Sequence, residues 1–251
     1  MKYCGMSDIG LKRAENEDSF LVGKVFDGCV LAVVCDGMGG ALGGKTASSM
    51  ACDIFYSSVS DAVRSYINSE LDISVESRNT IYKILISSAE KANEAVYSRS
   101  VSDETLTGMG TTLTAALTVG RYVYIINVGD SRTYKLSDSL LQITSDHSFV
   151  EALVEAGKIT REEAKVHPQK NVITRAIGID KSVVPDTFYT VLKKGESLLL
   201  CSDGLCGYVE HEDILGALSE NTDINEKASE LIRLAIAAGG KDNITAVLLT
   251  Y

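Results

Sequence analysis

The stretch GTTLTAALTVGRYVYIINVGDSRTYKL, residues 110–136, decides the fold class. It contains three apolar runs with strand character, at residues 111–119, 122–128 and 132–136. Only Gly120-Arg121 and Gly129-Asp130-Ser131 separate these runs. Links this short join antiparallel strands, because a parallel crossover needs roughly a dozen residues or more. The middle of the chain is therefore predicted to form consecutive antiparallel strands.

The sequence on both sides of this stretch predicts further strands and two groups of helices. The strands are expected at residues 18–22, 29–35, 183–189, 196–201 and 244–250. Helical periodicity begins after a Gly-rich turn at 37–44 and continues weakly toward Ile67, and it returns at 79–99, 212–219 and 225–238. We predict an α+β fold, an α-β-β-α sandwich whose two antiparallel sheets pack face to face with helix pairs outside.

Domain organisation follows from the absence of repeats, linkers and low-complexity segments. We expect one domain over residues 1–251. Residues 145–170 are polar and helix-prone but lack a long apolar stripe, so they are predicted to form a helical flap on the surface.

Composition and charge exclude several classes of function. The chain has 45% hydrophobic and 23% charged residues and a net charge of −10, which argues against nucleic acid or an anionic membrane as a partner. No apolar run approaches the length of a membrane helix, and no signal peptide is evident. The six cysteines lack zinc-type spacing. We expect a cytoplasmic monomer.

Four acidic segments lie next to predicted strand ends. They are Asn16-Glu17-Asp18, Asp36-Gly37, Ser202-Asp203-Gly204 and Asp242-Asn243. One Asp-Gly pair alone is an ordinary turn, but crowded carboxylates are unfavourable unless a positive charge lies between them. Ligation by oxygen alone favours Mg²⁺ or Mn²⁺ over zinc. These segments together predict a site for hard divalent cations.

Arg13 lies four residues before Glu17. A guanidinium near such a site can hold phosphate oxygens in a bidentate manner. The alternative for this residue in isolation is a surface arginine paired with Glu15 or Glu17. Two ions bridged by Asp36 would favour in-line displacement at phosphorus.

Six motifs in order resemble the metal-dependent type 2C serine/threonine protein phosphatases, bacterial type. The matching segments begin at Arg13 (RAENED), Val34 (VCDGMGG), Gly108 (GMGTT), Val128 (VGDSR), Ser202 (SDGL) and Lys241 (KDNIT). They span nearly the whole chain. The resemblance implies hydrolysis of phosphoserine and phosphothreonine in proteins by direct attack of a metal-bridged water. It also implies phosphorylated proteins as partners, including a cognate Ser/Thr kinase.

The resemblance also implies a metal centre with two Mn²⁺ or Mg²⁺ ions and a weaker third. By match, Asp36 bridges both ions, and the Gly37 carbonyl binds one of them. Asp203 and Asp242 hold the other ion, and Asp130 supports the third together with Asp203.

Three more residues match positions near the reacting phosphate. The resemblance implies that Glu17 acts through metal-bound water, that Asp18 orients the nucleophilic water, and that Arg13 binds the substrate phosphate. Met38 departs from the eukaryotic pattern, in which a histidine proposed as general acid stands at this position. A thioether cannot donate a proton, so a metal-bound water is the first candidate for the acid and His147 the second.

Two other functions compete with this interpretation. Residues Gly39–Thr46 satisfy the phosphate-cradling pattern of P-loop NTPases, between a strand and a helix. That fold needs a parallel sheet, which the hairpins at 111–136 oppose. The other alternative is a catalytically silent binding module with the same fold, which requires a missing ligand position. None of the matched positions is missing.

Overall fold

The computed structural model describes residues 1–66 and 75–251. Its first sheet contains the strands β1 (Lys2–Asp8), β7 (Arg132–Leu136), β8 (Leu140–Gln142), β10 (Ser197–Cys201) and β11 (Ile244–Thr250). Their order across the sheet is β1-β11-β10-β7-β8, and all neighbouring pairs are antiparallel.

The second sheet is built around the central hairpins. Its strands are β2 (Asp18–Phe26), β3 (Cys29–Met38), β4 (Gly110–Thr111), β5 (Leu113–Val119), β6 (Tyr122–Val128) and β9 (Asp186–Val191). The order is β2-β3-β5-β6-β9, with the short β4 paired to the end of β3. The hairpin predicted at Gly120-Arg121 is confirmed, because β5 and β6 pair antiparallel. The second predicted hairpin, at Gly129-Asp130-Ser131, is wrong. This link carries the chain from β6 to β7 in the other sheet, where β7 pairs with β10 and β8.

Helices cover the outer faces of both sheets. The α-helices of the described residues are α1 (Gly40–Tyr66), α2 (Val75–Ser102), α3 (Phe149–Glu155), α4 (Arg161–Val166), α5 (Asp203–Cys206), α6 (His211–Ser219) and α7 (Ile224–Ala237). Helices α1 and α2 pack on the second sheet, and α6 and α7 pack on the first. The predicted periodicity toward Ile67 extends outside the described residues. No helix in the described ranges is long and apolar enough to cross a membrane.

Apolar side chains fill the space between the two sheets. Val30, Ala32 and Val34 of β3 meet Leu198 and Val247 of the opposite sheet in one buried cluster. Strand β3 is apolar on both faces because one face meets this cluster and the other meets α1. This packing fixes the ends of β3, β10 and β11 relative to one another.

Several strand predictions differ from the structure. The predicted strand at 111–119 is divided into β4 and β5, β2 and β3 extend beyond their predicted ends, and β1 and β8 were not predicted. Strand β1 was not predicted because Gly5 interrupts its apolar pattern. The glycine is needed there, since a Cβ at this position would overlap the ring of Phe20. Strand β9 begins at Asp186 rather than Val183. Pro185 lies between these positions, and proline has no N–H to donate to a β-ladder.

Candidate metal centre

One end of the sandwich collects the strand ends that carry the acidic segments. Asp18 opens β2 and is the register partner of Asp36 near the end of β3. Strands β10 and β11 are antiparallel, so Asp203, just after β10, meets Asp242, just before β11. Asp130 lies in the turn between β6 and β7. The sequence analysis predicted six acidic residues for the metal site, and these five are among them.

The backbone of Asp36 is held by the neighbouring β4–β5 segment. Its N–H donates to Thr112 Oγ1 (2.9 Å), and its carbonyl accepts from the Thr112 N–H (2.9 Å) and from Thr111 Oγ1 (2.8 Å). The Thr112 hydroxyl also contacts Ser131 Oγ at 2.7 Å, next to Asp130. These bonds fix Asp36 and connect its position to the turn that contains Asp130.

Asp18 is buried, with a relative exposure of 2%. Its Oδ2 accepts from Ser202 Oγ (2.7 Å) and from Thr245 Oγ1 (2.6 Å), which ties β2 to the ends of β10 and β11. Its Oδ1 is also buried and has no hydrogen-bond partner among the described residues. A buried carboxylate oxygen without a partner is unfavourable unless a proton or a cation reaches it.

Asn243 holds the segment that carries Arg13 and Glu17. Its Nδ2 donates to the carbonyls of Ile9 (3.0 Å) and Glu15 (3.0 Å), and its Oδ1 accepts from the Glu17 N–H (2.8 Å). The start of β11 is thereby joined to the loop between β1 and β2.

Arg13 forms a bidentate ion pair across this junction. Its Nε lies 2.8 Å from Asp242 Oδ1, and its Nη2 donates to Oδ2 at 2.8 Å. The Arg13 side chain is 48% exposed, so its guanidinium borders both solvent and the acidic cluster. The alternative partners expected for an isolated surface arginine, Glu15 and Glu17, are not the ones it contacts.

The predicted Gly-rich turn at 37–44 is instead the end of β3 and the start of α1, and its glycines allow Glu17 to approach the cluster closely. A Cβ at Gly44 would lie 2.7 Å from Glu17 Oε1, and a Cβ at Gly37 would overlap the Gly44 carbonyl. Larger residues at either position would push the Glu17 segment away from Asp36. The glycine-rich sequence therefore serves close packing at this site.

Burial, and after it the crowding of like charges, raises the pKa values of the acidic side chains. Burial raises the pKa of Asp18 to about 7, although hydrogen bonds from Thr245 and Ser202 oppose the effect. Burial, followed by the charges of Asp203 and Asp146, raises the pKa of Asp130 to about 7. The protein without cations therefore retains protons on part of this cluster near neutral pH.

Asp36 and Asp203 show the same effect. Burial and then the charges of Asp18 and Asp203 raise the pKa of Asp36 well above its usual range. Burial and then Asp242 raise the pKa of Asp203, and burial raises that of Glu17. Asp36 and Asp203 therefore lie close enough for the charge of Asp203 to raise the pKa of Asp36.

This donor set fits hard divalent cations. Within residues 1–66 and 75–251, no group of three His, Cys, Asp or Glu side chains is arranged to hold a metal ion, and Asp242 is paired with Arg13 instead. Asp203 Oδ1, like Asp18 Oδ1, is buried without a partner. Cations here would replace the protons that the raised pKa values keep on Asp18 and Asp130 near neutral pH, and would replace the guanidinium on Asp242.

Comparison with known proteins identifies the family. A family model described as Protein phosphatase 2C matches residues 11–248. The chain belongs to the protein phosphatase 2C family. The resemblance predicted from the six motifs is confirmed, and so is the prediction that the chain is a phosphoprotein phosphatase.

Several proteins of this family match the chain over nearly their full lengths. The serine/threonine phosphatase stp of Listeria monocytogenes serotype 4b (strain F2365) is 38% identical over 244 residues, which cover 97% of this chain and 93% of the relative. Stp1 from Staphylococcus aureus has a TM-score of 0.85 at 36% identity and covers 100% of this chain and 94% of its own. The catalytic domain of PstP in complex with two manganese ions has a TM-score of 0.82 at 36% identity, with 98% and 96% covered.

Lys45 has a structural role in this protein phosphatase 2C fold. Its Nζ donates to the Asp18 carbonyl (2.9 Å) and approaches Ser19 Oγ (3.3 Å), so it anchors the start of β2. A P-loop lysine would instead point into a cradle for phosphates. This contact and the antiparallel sheets leave the P-loop NTPase without support.

His147 is occupied by other contacts. Its Nδ1 accepts from the Gly129 N–H (3.1 Å), and its Nε2 lies 3.2 Å from Asp186 Oδ2 and 3.0 Å from Arg175 Nη1. The ring is buried, and this burial lowers its pKa. His147, the second candidate for the general acid, therefore holds the 129–131 turn against the flap and does not face the carboxylates of the metal centre.

Several residues of the site belonged to the quoted motifs but had no predicted role. Asn243, Ser202, Thr245 and Thr112 orient Glu17, Asp18 and Asp36 as described above. Arg132 holds Asp146 through Nε (2.9 Å) and Nη2 (2.7 Å) beside Asp130. In the sequence, these residues are polar side chains at otherwise apolar strand ends, and this pattern is the signal that could have identified them.

Proposed function

We propose that the chain hydrolyses phosphoserine and phosphothreonine in proteins, using two Mn²⁺ or Mg²⁺ ions at the candidate metal centre. The convergence of Asp18, Asp36, Asp203 and Asp242, with two buried carboxylate oxygens that lack partners, carries this proposal. The names of the Listeria and Staphylococcus relatives support the substrate class. The manganese ions bound to PstP support the choice of metal.

Four aspartates and one carbonyl have a proposed part in holding the ions. Asp36 would hold both ions, and the Gly37 carbonyl would bind one of them. Asp203 and Asp242 would hold the other, and Asp203 with Asp130 would hold a weaker third. When bound, the ions supply positive charge at the phosphate and acidify a water molecule.

Asp18, Arg13 and Glu17 act on the substrate and the attacking water. Asp18 receives two hydroxyl donors on Oδ2, so its free Oδ1 has a fixed direction and can orient the nucleophilic water. Glu17 contributes through a water molecule. Arg13 neutralises phosphate oxygens, since a guanidinium matches their bidentate geometry.

The ion pair between Arg13 and Asp242 gives this arginine two alternative partners. A cation on Asp242 competes with the guanidinium for the same two oxygens. Loading the centre therefore weakens the pair and makes the Arg13 donors available to phosphate. Phosphate binding by Arg13 is then coupled to the presence of the ions.

Partners and location complete the proposal. The substrates are phosphorylated proteins, including a cognate Ser/Thr kinase, and the enzyme acts as a cytoplasmic monomer in signalling. Residues 145–170, which include α3 and α4, act as a flap beside the centre of a single catalytic domain that spans residues 1–251.

Phosphate release from a phosphothreonine peptide tests the proposal. We expect activity with Mn²⁺, loss of activity with a chelator, and loss of at least about a hundredfold in Asp36→Asn, because the bridging ligand is removed. Asp138→Asn is the matched control, since Asp138 is exposed on the β7–β8 turn. Activity that persists in chelator or in Asp36→Asn would refute the two-metal mechanism. ATP hydrolysis without phosphopeptide hydrolysis would support the P-loop alternative.

A further inference from the structure

Tyr208 lies at the edge of the candidate metal centre, in the loop between α5 and α6. Its ring is partly buried. Burial and then the charges of Asp203 and Asp242 raise its pKa, while Arg13 opposes them. The ring therefore shares its surroundings with the ion-binding carboxylates and with the arginine proposed to hold phosphate.

Two lysines meet at this ring from different parts of the chain. Lys170 Nζ, at the end of the flap, and Lys241 Nζ, next to Asp242, each lie 5.4 Å from the centroid of the Tyr208 ring. Ammonium groups within about 6 Å of an aromatic face are attracted by its quadrupole. We call Lys170, Lys241 and Tyr208 the Tyr208 cluster.

Neither ammonium of the Tyr208 cluster forms an ion pair in the described part of the chain. Nearby Lys165, in contrast, pairs with Glu210 at 2.7 Å. The chain as a whole carries an excess of acidic residues, with a net charge of −10. Two cations that share one ring and lack a carboxylate partner are therefore suited to an anion from outside the chain.

We propose that the Tyr208 cluster is a second anion subsite, which binds an acidic or phosphorylated residue flanking the phosphoserine or phosphothreonine that is hydrolysed. This inference rests on the proposed function. A phosphoryl dianion matches two ammonium groups better than a single carboxylate does. Because Lys170 belongs to the flap and Lys241 to the core, an anion between them would also hold the flap against the site.

Peptide selectivity tests the subsite in the full chain loaded with Mn²⁺. Three peptides share one phosphothreonine and differ at a flanking position, which is alanine, glutamate or a non-hydrolysable phosphonate. The flanking position is scanned on both sides. We expect kcat/KM to rise about fivefold to thirtyfold from alanine to the preferred anion, and to lose this gain as salt concentration increases. A higher value for the phosphonate than for glutamate identifies a phosphoryl subsite, and equal values identify a site for carboxylates as well.

Variants connect this selectivity to the Tyr208 cluster. Lys170→Gln and Lys241→Gln should each reduce the ratio of kcat/KM between anionic and neutral peptides, and the double variant should bring it close to one. Tyr208→Phe keeps the aromatic face and should keep the ratio, whereas Tyr208→Leu should reduce it. Lys194→Gln, at an exposed lysine between β9 and β10, is the control and should change neither the ratio nor the rate.

The outcomes separate the subsite from the activity itself. A ratio near one in the unmodified protein, or a ratio retained in the double variant, would overturn the subsite while leaving phosphatase activity in place. Failure to hydrolyse both p-nitrophenyl phosphate and the neutral peptide with Mn²⁺ would instead overturn the proposed function. Lys170 lies on the flap. If Lys241→Gln perturbs folding near Asp242, the single variant Lys170→Gln still reports on the subsite.

Discussion

Removing divalent ions should make the stability of the protein fall as the pH rises. The reason is that Asp18 and Asp130 have pKa values of about 7 in the folded protein, against about 3.9 in an unfolded chain. Between these values the folded state binds more protons than the unfolded state. The free energy of unfolding therefore decreases as the pH rises through this window, and the loss is complete above about pH 7.

The size of the effect follows from the same pKa values. One unit of pKa difference corresponds to about 1.4 kcal/mol, so ionising Asp18 between pH 5 and pH 8 should cost roughly 3 kcal/mol. Asp130 contributes with the same sign, and the pair together should cost about 3–5 kcal/mol because their titrations are coupled. For a chain of this length, that change lowers Tm by roughly 10 °C.

Thermal or urea unfolding in chelator and in millimolar Mn²⁺, at pH values from 5 to 8, measures this effect. The Mn²⁺ series should lack the decline, because bound cations replace the protons. His147 acts in the opposite direction, since its pKa is lowered, but it contributes to both series and cancels in their difference. Asp130→Asn should reduce the decline in chelator. Stability in chelator that is constant or increases from pH 5 to pH 8 would refute the crowding of these carboxylates.

Two further predictions concern the supports of the site. Gly204→Ala should lower the free energy of unfolding by at least about 1–3 kcal/mol, because the new Cβ would overlap the Asn243 carbonyl. Gly216→Ala in α6 is the control. Nothing lies within 4 Å of the new Cβ there, so this variant should raise the free energy of unfolding by about 0.5–1 kcal/mol. Urea titration compares the two, and equal effects would contradict the packing described at Gly204. Asp146→Ala should cost about 3–5 kcal/mol, since it leaves the partly buried Arg132 without its bidentate partner. A loss below about 1 kcal/mol in thermal melts would show that this ion pair is not a support.

The sequence predicted the architecture because its decisive signals are local. The two-residue link at Gly120-Arg121 permits only a hairpin, and the apolar run before Asp36 identifies a buried strand. Local signals also explain the errors in the strand predictions. Gly5 interrupts the apolar pattern of β1, and Pro185 makes β9 begin later than predicted. The helical turn α5 was missed because four residues are too few to show a period of 3.6.

The contacts that assemble the site could not be read from the sequence, because they join distant residues. Arg13 pairs with Asp242, 229 positions away, whereas spacing alone suggested Glu15 or Glu17. Asn243 reaches back to the Glu15 carbonyl over 228 positions. Sequence spacing indicates neighbours on one helix or strand, but only the register of β1, β11 and β10 brings these side chains together.

The central position of β11 in its sheet has a consequence for the synthesis of the protein. Strand β11 lies between β1 and β10 in its sheet, and every other strand of both sheets precedes it in the sequence. Asp242 and Asn243 immediately precede β11, so a nascent chain on the ribosome lacks these two residues until all the other strands have been synthesised. Contacts between the first and last strands also have the largest loop entropy to overcome. We therefore expect the ion-binding pocket to be among the last parts to assemble, after the β2–β6 hairpins have formed.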